Sequence, residues 1–202
     1  MNHASAHTGS PKFQRNHSQA NTHDALKQEI IDGRTTRKPA ANRRHNIIRT
    51  NFIVAIGSRI QRSTFEVYAG DMQVHVAPNS VLFPDVAVVG GEPSFSDPQS
   101  STLTNPTAVI EIFSTASASQ DRTARLEGFL AIPSIKECVL VNENEMRVEH
   151  YARQQVKQWV YRIYNERDDV IMLDSLSVRI SLSEVYGQVK FGDTELSSRA
   201  VN

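Results

Sequence analysis

Two carboxylates stand where a carboxylate is costly to keep. Asp85 lies within Val81-Leu82-Phe83-Pro84-Asp85-Val86-Ala87-Val88-Val89, and Glu111 lies within Ala108-Val109-Ile110-Glu111-Ile112-Phe113. A strand that is apolar at successive positions is buried on both faces, so each acid is pressed into a low-dielectric surrounding. There it must be paired, protonated or bound to a metal. Two such acids on neighbouring strands would converge on one point, where oxygen ligands suit Mg²⁺ or Mn²⁺. The other reading is that each acid faces an arginine or a helix N-terminus and is structural. The residues alone leave both open.

The elements that must position this pair follow from hydrophobic period. Residues 28–31 read as a short strand entering an Asp32-Gly33 turn, because Asp-Gly tolerates positive φ. Ile48, Phe52, Ile53, Ile56 and Ile60 recur at helical spacing and predict an amphipathic helix over about 46–61. Strands follow over 65–68, 72–76 and 81–89, the last broken by Pro84, and then a surface loop over 94–107. A second helix over 123–132 is stopped by Pro133. Further strands are expected over 137–141, 146–151, 159–164 and 170–173, with a short closing helix near 183–189. This mixture predicts an α/β or α+β sheet protein. Residues 1–23 are polar and read as a disordered tail, 24–192 as one domain, and 193–202 as a flexible C-terminal tail.

Composition narrows the chemistry. In 202 residues, 39% are hydrophobic, enough to bury a core. The 22 Lys and Arg cancel the 22 Asp and Glu, which excludes a globally polycationic nucleic-acid coat. Neutrality hides an asymmetry: no acid occurs from Gly33 to Arg62, a window holding Arg34, Arg37, Lys38, Arg43, Arg44, Arg49, Arg59 and Arg62. That band is either a solvated helix face or a track for phosphates. The single cysteine, Cys138, excludes an intramolecular disulfide framework and a CxxC zinc site. Phosphate-loop, dinucleotide, GxSxG and HExxH signatures are missing. The first residues lack the apolar core of a secretory signal, so the expected location is the cytoplasm. His45, near the start of the first helix, either caps and packs or contacts phosphate and the metal site.

A proline-aspartate at a strand, a loop, and then a glutamate in mid-strand resembles the PD-(D/E)xK core of restriction-endonuclease-like nucleases. More narrowly, the chain resembles the Uma-two family. The matching segments occur in order: Gln28 to Gly33, Arg44-His45-Asn46, Val67-Tyr68 to Asp71-Met72, Phe83-Pro84-Asp85-Val86, Asn105-Pro106, Val109 to Ser114, Asp121-Arg122, Ile132-Pro133-Ser134, Cys138 to Val141 and Leu173 to Leu176. The resemblance implies a restriction-endonuclease-like α/β fold, a central mixed sheet with a helix on each side. It implies that Asp85 and Glu111 bind the metal, Mg²⁺ or Mn²⁺. It also implies a homodimer that hydrolyses DNA phosphodiesters.

The chain departs from the pattern at informative places. The superfamily's lysine two residues after the glutamate is Phe113 here, and the family's lysine four residues after an aspartate (Asp121 here) is Arg125. The family's Gly-Glu is Gly33-Arg34. Arginine can neutralise a phosphate bidentately, but its proton is not removable. On the enzymatic reading Arg125 stabilises charge on the phosphate and Arg43, Arg44, Arg49, Arg59 and Arg62 track the backbone. On the alternative, the chain is a weakened or inactive nuclease fold that binds nucleic acid or a protein partner.

Overall fold

A computed structural model describes residues 27–38, 40–61, 63–114 and 119–192, the side chains of 119–121 excepted. The two expected tails and Arg62 lie outside these residues. In chain order the strands are β1 (Gln28–Ile31), β2 (Arg34–Arg37), β3 (Phe65–Ala69), β4 (Gln73–Ala77), β5 (Ser80–Leu82), β6 (Val86–Gly90), β7 (Thr102–Leu103), β8 (Ala108–Phe113), β9 (Glu137–Asn142), β10 (Val148–Gln155), β11 (Gln158–Tyr164), β12 (Val170–Leu173) and β13 (Val178–Ser181). The α-helices are α1 (Arg43–Gly57), α2 (Ser119–Ala131) and the short α3 (Leu182–Val185).

The strands with unbroken apolar runs take the middle of the main sheet, where both faces are covered. Its order is β11-β10-β9-β8-β6-β3, antiparallel except for the parallel β8–β9 pair. Alternation then sorts the side chains. Val86, Val88, Ile110, Val139 and Val141 turn to one face and meet Ile48, Phe52 and Ile56 of α1, with β12, β13 and α3 closing that layer. Ala87, Val89, Val109, Cys138 and Leu140 turn to the other face and meet Phe129 of α2. The expected helix on each side of a mixed sheet is therefore present.

Boundaries and one whole layer differ from the sequence expectation. α1 begins at Arg43 rather than near residue 46, because the Asn42 side chain accepts a hydrogen bond from the His45 backbone N–H and caps the helix ahead of its apolar stripe. α2 begins at Ser119, ahead of the expected residue 123. Pro84 does more than break a strand. It cannot donate to a ladder, and it divides the 81–89 run between two sheets. β5 joins a second, five-stranded sheet ordered β2-β1-β5-β4-β7, while β6 stays in the main one. This second sheet lays Val74, Val76 and Leu82 over the α2 face. The segment expected as a surface loop also contributes β7, whose Thr102 and Leu103 are buried beside β4. No helix among the described residues is long and apolar enough to cross a membrane.

Candidate active site

The β6–β8 ladder brings the two carboxylates together. Val86 pairs with Ile110 and Ala87 with Val109. One further step puts Asp85, which immediately precedes β6, opposite Glu111. By alternation both project to the α2 face, with Ala87 and Val109. Asp85 is 1% exposed and Glu111 is 6% exposed.

Three polar groups fix Asp85. Its Oδ2 accepts the Ile112 backbone N–H at 2.8 Å, and its Oδ1 lies 2.7 Å from Nε2 of His45 and 3.4 Å from Nζ of Lys38. An ionised carboxylate only accepts, so the His45 Nε2–H is the donor. On the far side of the ring, Nδ1 lies 3.6 Å from Glu143, whose other oxygen accepts from the Asn42 side chain at 2.8 Å. The helix cap, the histidine and the aspartate thus form one chain of contacts.

Glu111 is held by two cations. Its Oε1 accepts from Arg125 at 2.5 Å and from Lys38 at 3.2 Å. The other arm of Arg125 grips Glu29 of β1, and Glu29 Oε1 accepts the Phe83 backbone N–H at 2.8 Å. Lys38 follows β2 directly, and its third N–H goes to the Phe83 carbonyl at 2.6 Å. In sum, three buried carboxylates (Glu29, Asp85, Glu111) surround two cations (Lys38, Arg125), leaving one formal negative charge uncompensated before His45 and Glu143 are counted.

The environments push the paired acids apart. Burial alone would raise Asp85, but the Lys38 charge, the His45 contact and the Ile112 N–H outweigh it and bring its pKa down to about 2. For Glu111 burial wins, opposed by Arg125 and Lys38 and reinforced by Asp85 and Glu29, so its pKa rises. A raised acid beside a lowered one is the signature of a pair of unequal roles. Glu111 Oε2 is buried and has no hydrogen-bond partner among the described residues. Thr36 Oγ1 is likewise buried without one, on the hairpin face it shares with Glu29, the residue opposite it. All-oxygen donors with a free carboxylate lone pair suit a hard divalent cation such as Mg²⁺ or Mn²⁺. No group of three or more His, Cys, Asp or Glu poised as a metal cage occurs among the described residues.

The remaining expected residues scatter. Arg125 reaches the pair, but both of its arms are spent on buried carboxylates. Arg44 bonds the Lys190 carbonyl and Asn144, Arg49 bonds Asn46, and Arg59 bonds the Ala55 carbonyl and Glu184. Arg43 is exposed at the first turn of α1. Asp121 sits in the first turn of α2 with its side chain outside the described residues, as Arg62 is altogether. Asp71 is exposed and pairs with Lys27 at 2.5 Å. Phe113, at the superfamily's lysine position, lies under the guanidinium of Arg122 at 4.2 Å. Sequence reasoning missed Lys38, Glu29 and Glu143. Only Glu29 left a signal, as an acid sharing a face with Ile31 on a short strand.

Two outcomes follow. Arg125→Met strands Glu29 and Glu111 without their shared cation and should lower unfolding stability by about 3–5 kcal/mol in urea titrations. Adding Glu29→Gln and Glu111→Gln should recover part of that loss, and a loss under about 1 kcal/mol contradicts the network. Asp85 is depressed from its ordinary 3.8 to about 2, so its contribution is complete above pH 3.8 and is lost as pH falls through about 2. Wild-type stability should therefore fall more steeply than that of Asp85→Asn across this window, and equal slopes contradict the assignment.

A family model for Uma-two (Uma2), described as "Putative restriction endonuclease", matches residues 13–183. An uncharacterised protein of Synechocystis is 30% identical over 135 residues, 66% of this chain and 76% of its own length. A second uncharacterised protein of that organism is 19% identical over 166 residues, 82% of this chain and 86% of its own. The crystal structure of "a putative nuclease belonging to DUF820" from Anabaena variabilis matches with a TM-score of 0.66 at 18% identity, over 79% of this chain and 89% of that one. That likeness establishes the fold as restriction-endonuclease-like. Nucleases of this kind generally use divalent metals. With the match running from residue 13 to residue 183, the chain belongs to the Uma-two family.

Proposed function

We propose that this protein is a metal-dependent endonuclease that hydrolyses phosphodiester bonds of DNA. The observation that carries the reading is the Asp85–Glu111 pair, opposed across one ladder, buried, and retaining an unpartnered carboxylate oxygen among the described residues. Membership of the Uma-two family supports the reaction class. A cytoplasmic homodimer is part of the proposal, the dimer supported by the family resemblance alone.

Each residue has a task on this reading. Asp85 and Glu111 hold the cation, which when bound polarises a phosphate oxygen and lowers the pKa of a bound water. His45 and the Ile112 N–H keep Asp85 ionised and aimed. Arg125 orients Glu111 and Glu29 rather than meeting the phosphate itself. Arg43, with Arg34 and Arg37 of the hairpin that ends at Lys38, is exposed and makes no ion pair among the described residues, so these three can meet a DNA backbone. Arg44, Arg49 and Arg59 spend hydrogen bonds inside the fold and contribute to the field more than to contact. One observation favours an inactive nuclease fold instead: both arms of Arg125 are already committed to carboxylates.

Calorimetric titration with Mn²⁺ and plasmid nicking separate these readings. Wild type should bind and nick, and Asp85→Ala combined with Glu111→Ala should do neither while still unfolding cooperatively. Binding without nicking would indicate the inactive fold. Nicking that survives the double substitution would refute the assigned site.

A further inference from the structure

Lys38 is surrounded as a metal ion would be. Its ammonium has three N–H donors, and they meet three oxygens: the Phe83 carbonyl at 2.6 Å, Glu111 Oε1 at 3.2 Å and Asp85 Oδ1 at 3.4 Å. A backbone carbonyl with two carboxylates is also the kind of oxygen set a hard divalent cation takes. The side chain is 13% exposed, against 8% for Arg125. Arg125 is clamped at both arms, between Glu29 and Glu111. The two cations of the site therefore differ in how they are held: the guanidinium bridges two carboxylates, and the ammonium is shared among a carbonyl and two carboxylates.

We propose that Lys38, and not Arg125, is the working cation of the site, an ammonium that shares its oxygen cage with the divalent metal and yields it to take up the substrate phosphate. The inference rests on the metal-dependent reading above and adds to it which residue meets the phosphate. Three features of the chain fit the exchange. A lysine is a compact point charge on a flexible four-carbon stem, able to move between acceptors that a planar guanidinium clamped at both ends cannot leave. The segment that carries Lys38 ends β2, an edge strand of the second sheet, and its anchor to the main sheet is made by side chains. The same ammonium lies 3.4 Å from Asp85 Oδ1 and 3.2 Å from Glu111 Oε1, so it holds both carboxylates on one shared position.

The test uses the full chain and Mn²⁺ as probe, with Lys38→Met, and Lys38→Gln as the second variant should methionine prevent folding. Removing a competing cation should tighten Mn²⁺ binding by about tenfold, measured by calorimetry. Removing the group that meets the phosphate should slow plasmid nicking by about 100-fold at saturating Mn²⁺. Tighter binding with slower nicking is the expected pair of results. Unchanged or weaker Mn²⁺ binding in the variant overturns the inference, even if wild type nicks normally. Tighter binding with undiminished nicking also overturns it, since the ammonium would then only block the metal. Tighter binding by the variant, with no nicking by wild type under any condition, leaves the shared cage standing and removes the endonuclease reading. Binding by neither protein overturns both.

Discussion

Everything distinctive in this protein follows from burying carboxylates in one place. Glu29, Asp85 and Glu111 are each at most 6% exposed, and burial of a charge is tolerated only where partners replace water. The fold supplies those partners from four directions: Arg125 from α2, His45 from the start of α1, Lys38 from the hairpin, and the Ile112 and Phe83 N–H groups from the backbone itself. Removing one element would leave another's charge uncovered. The acidic cluster therefore ties the two sheets and both main helices together.

That arrangement explains an apparent conflict in the chain. The family's usual lysine position carries Arg125, and the superfamily's carries Phe113. Read along the sequence, the site has lost its cation. In space it has two. Arg125 is planar and forked, and it clamps two carboxylates at once, a task for which guanidinium geometry is suited. The second cation, the Lys38 ammonium, comes from the hairpin of the other sheet. Likewise Arg34 stands where the family has a glutamate, yet a carboxylate still arrives from the same hairpin, through Glu29.

Asp85 and Glu111 were legible because an acid inside an unbroken apolar run contradicts its neighbours, and the register of two long strands does the rest. α1 was legible from Ile48, Phe52 and Ile56 at helical spacing. Lys38 was not, because nothing in Arg37-Lys38-Pro39 distinguishes it from the other cations of an acid-free window. Its role depends on contacts with Phe83, Asp85 and Glu111, far along the chain. The partners of the basic band were hidden for the complementary reason. Spacing counts charges, but only the folded chain reveals that Arg59 answers Glu184 and Arg44 answers the Lys190 carbonyl. The second sheet was hidden behind Pro84, which reads as a break within one strand and acts as a corner between two layers.

The central claim is that the carboxylate pair is a divalent-cation site. Crystals grown with Mn²⁺ and measured at a wavelength where manganese scatters anomalously test it directly. A divalent-cation site gives an anomalous peak within bonding distance of both Asp85 and Glu111, with the Lys38 ammonium displaced from between them. A well-ordered pair with Lys38 still seated and no manganese peak beside it, in crystals soaked to saturation, would contradict the account.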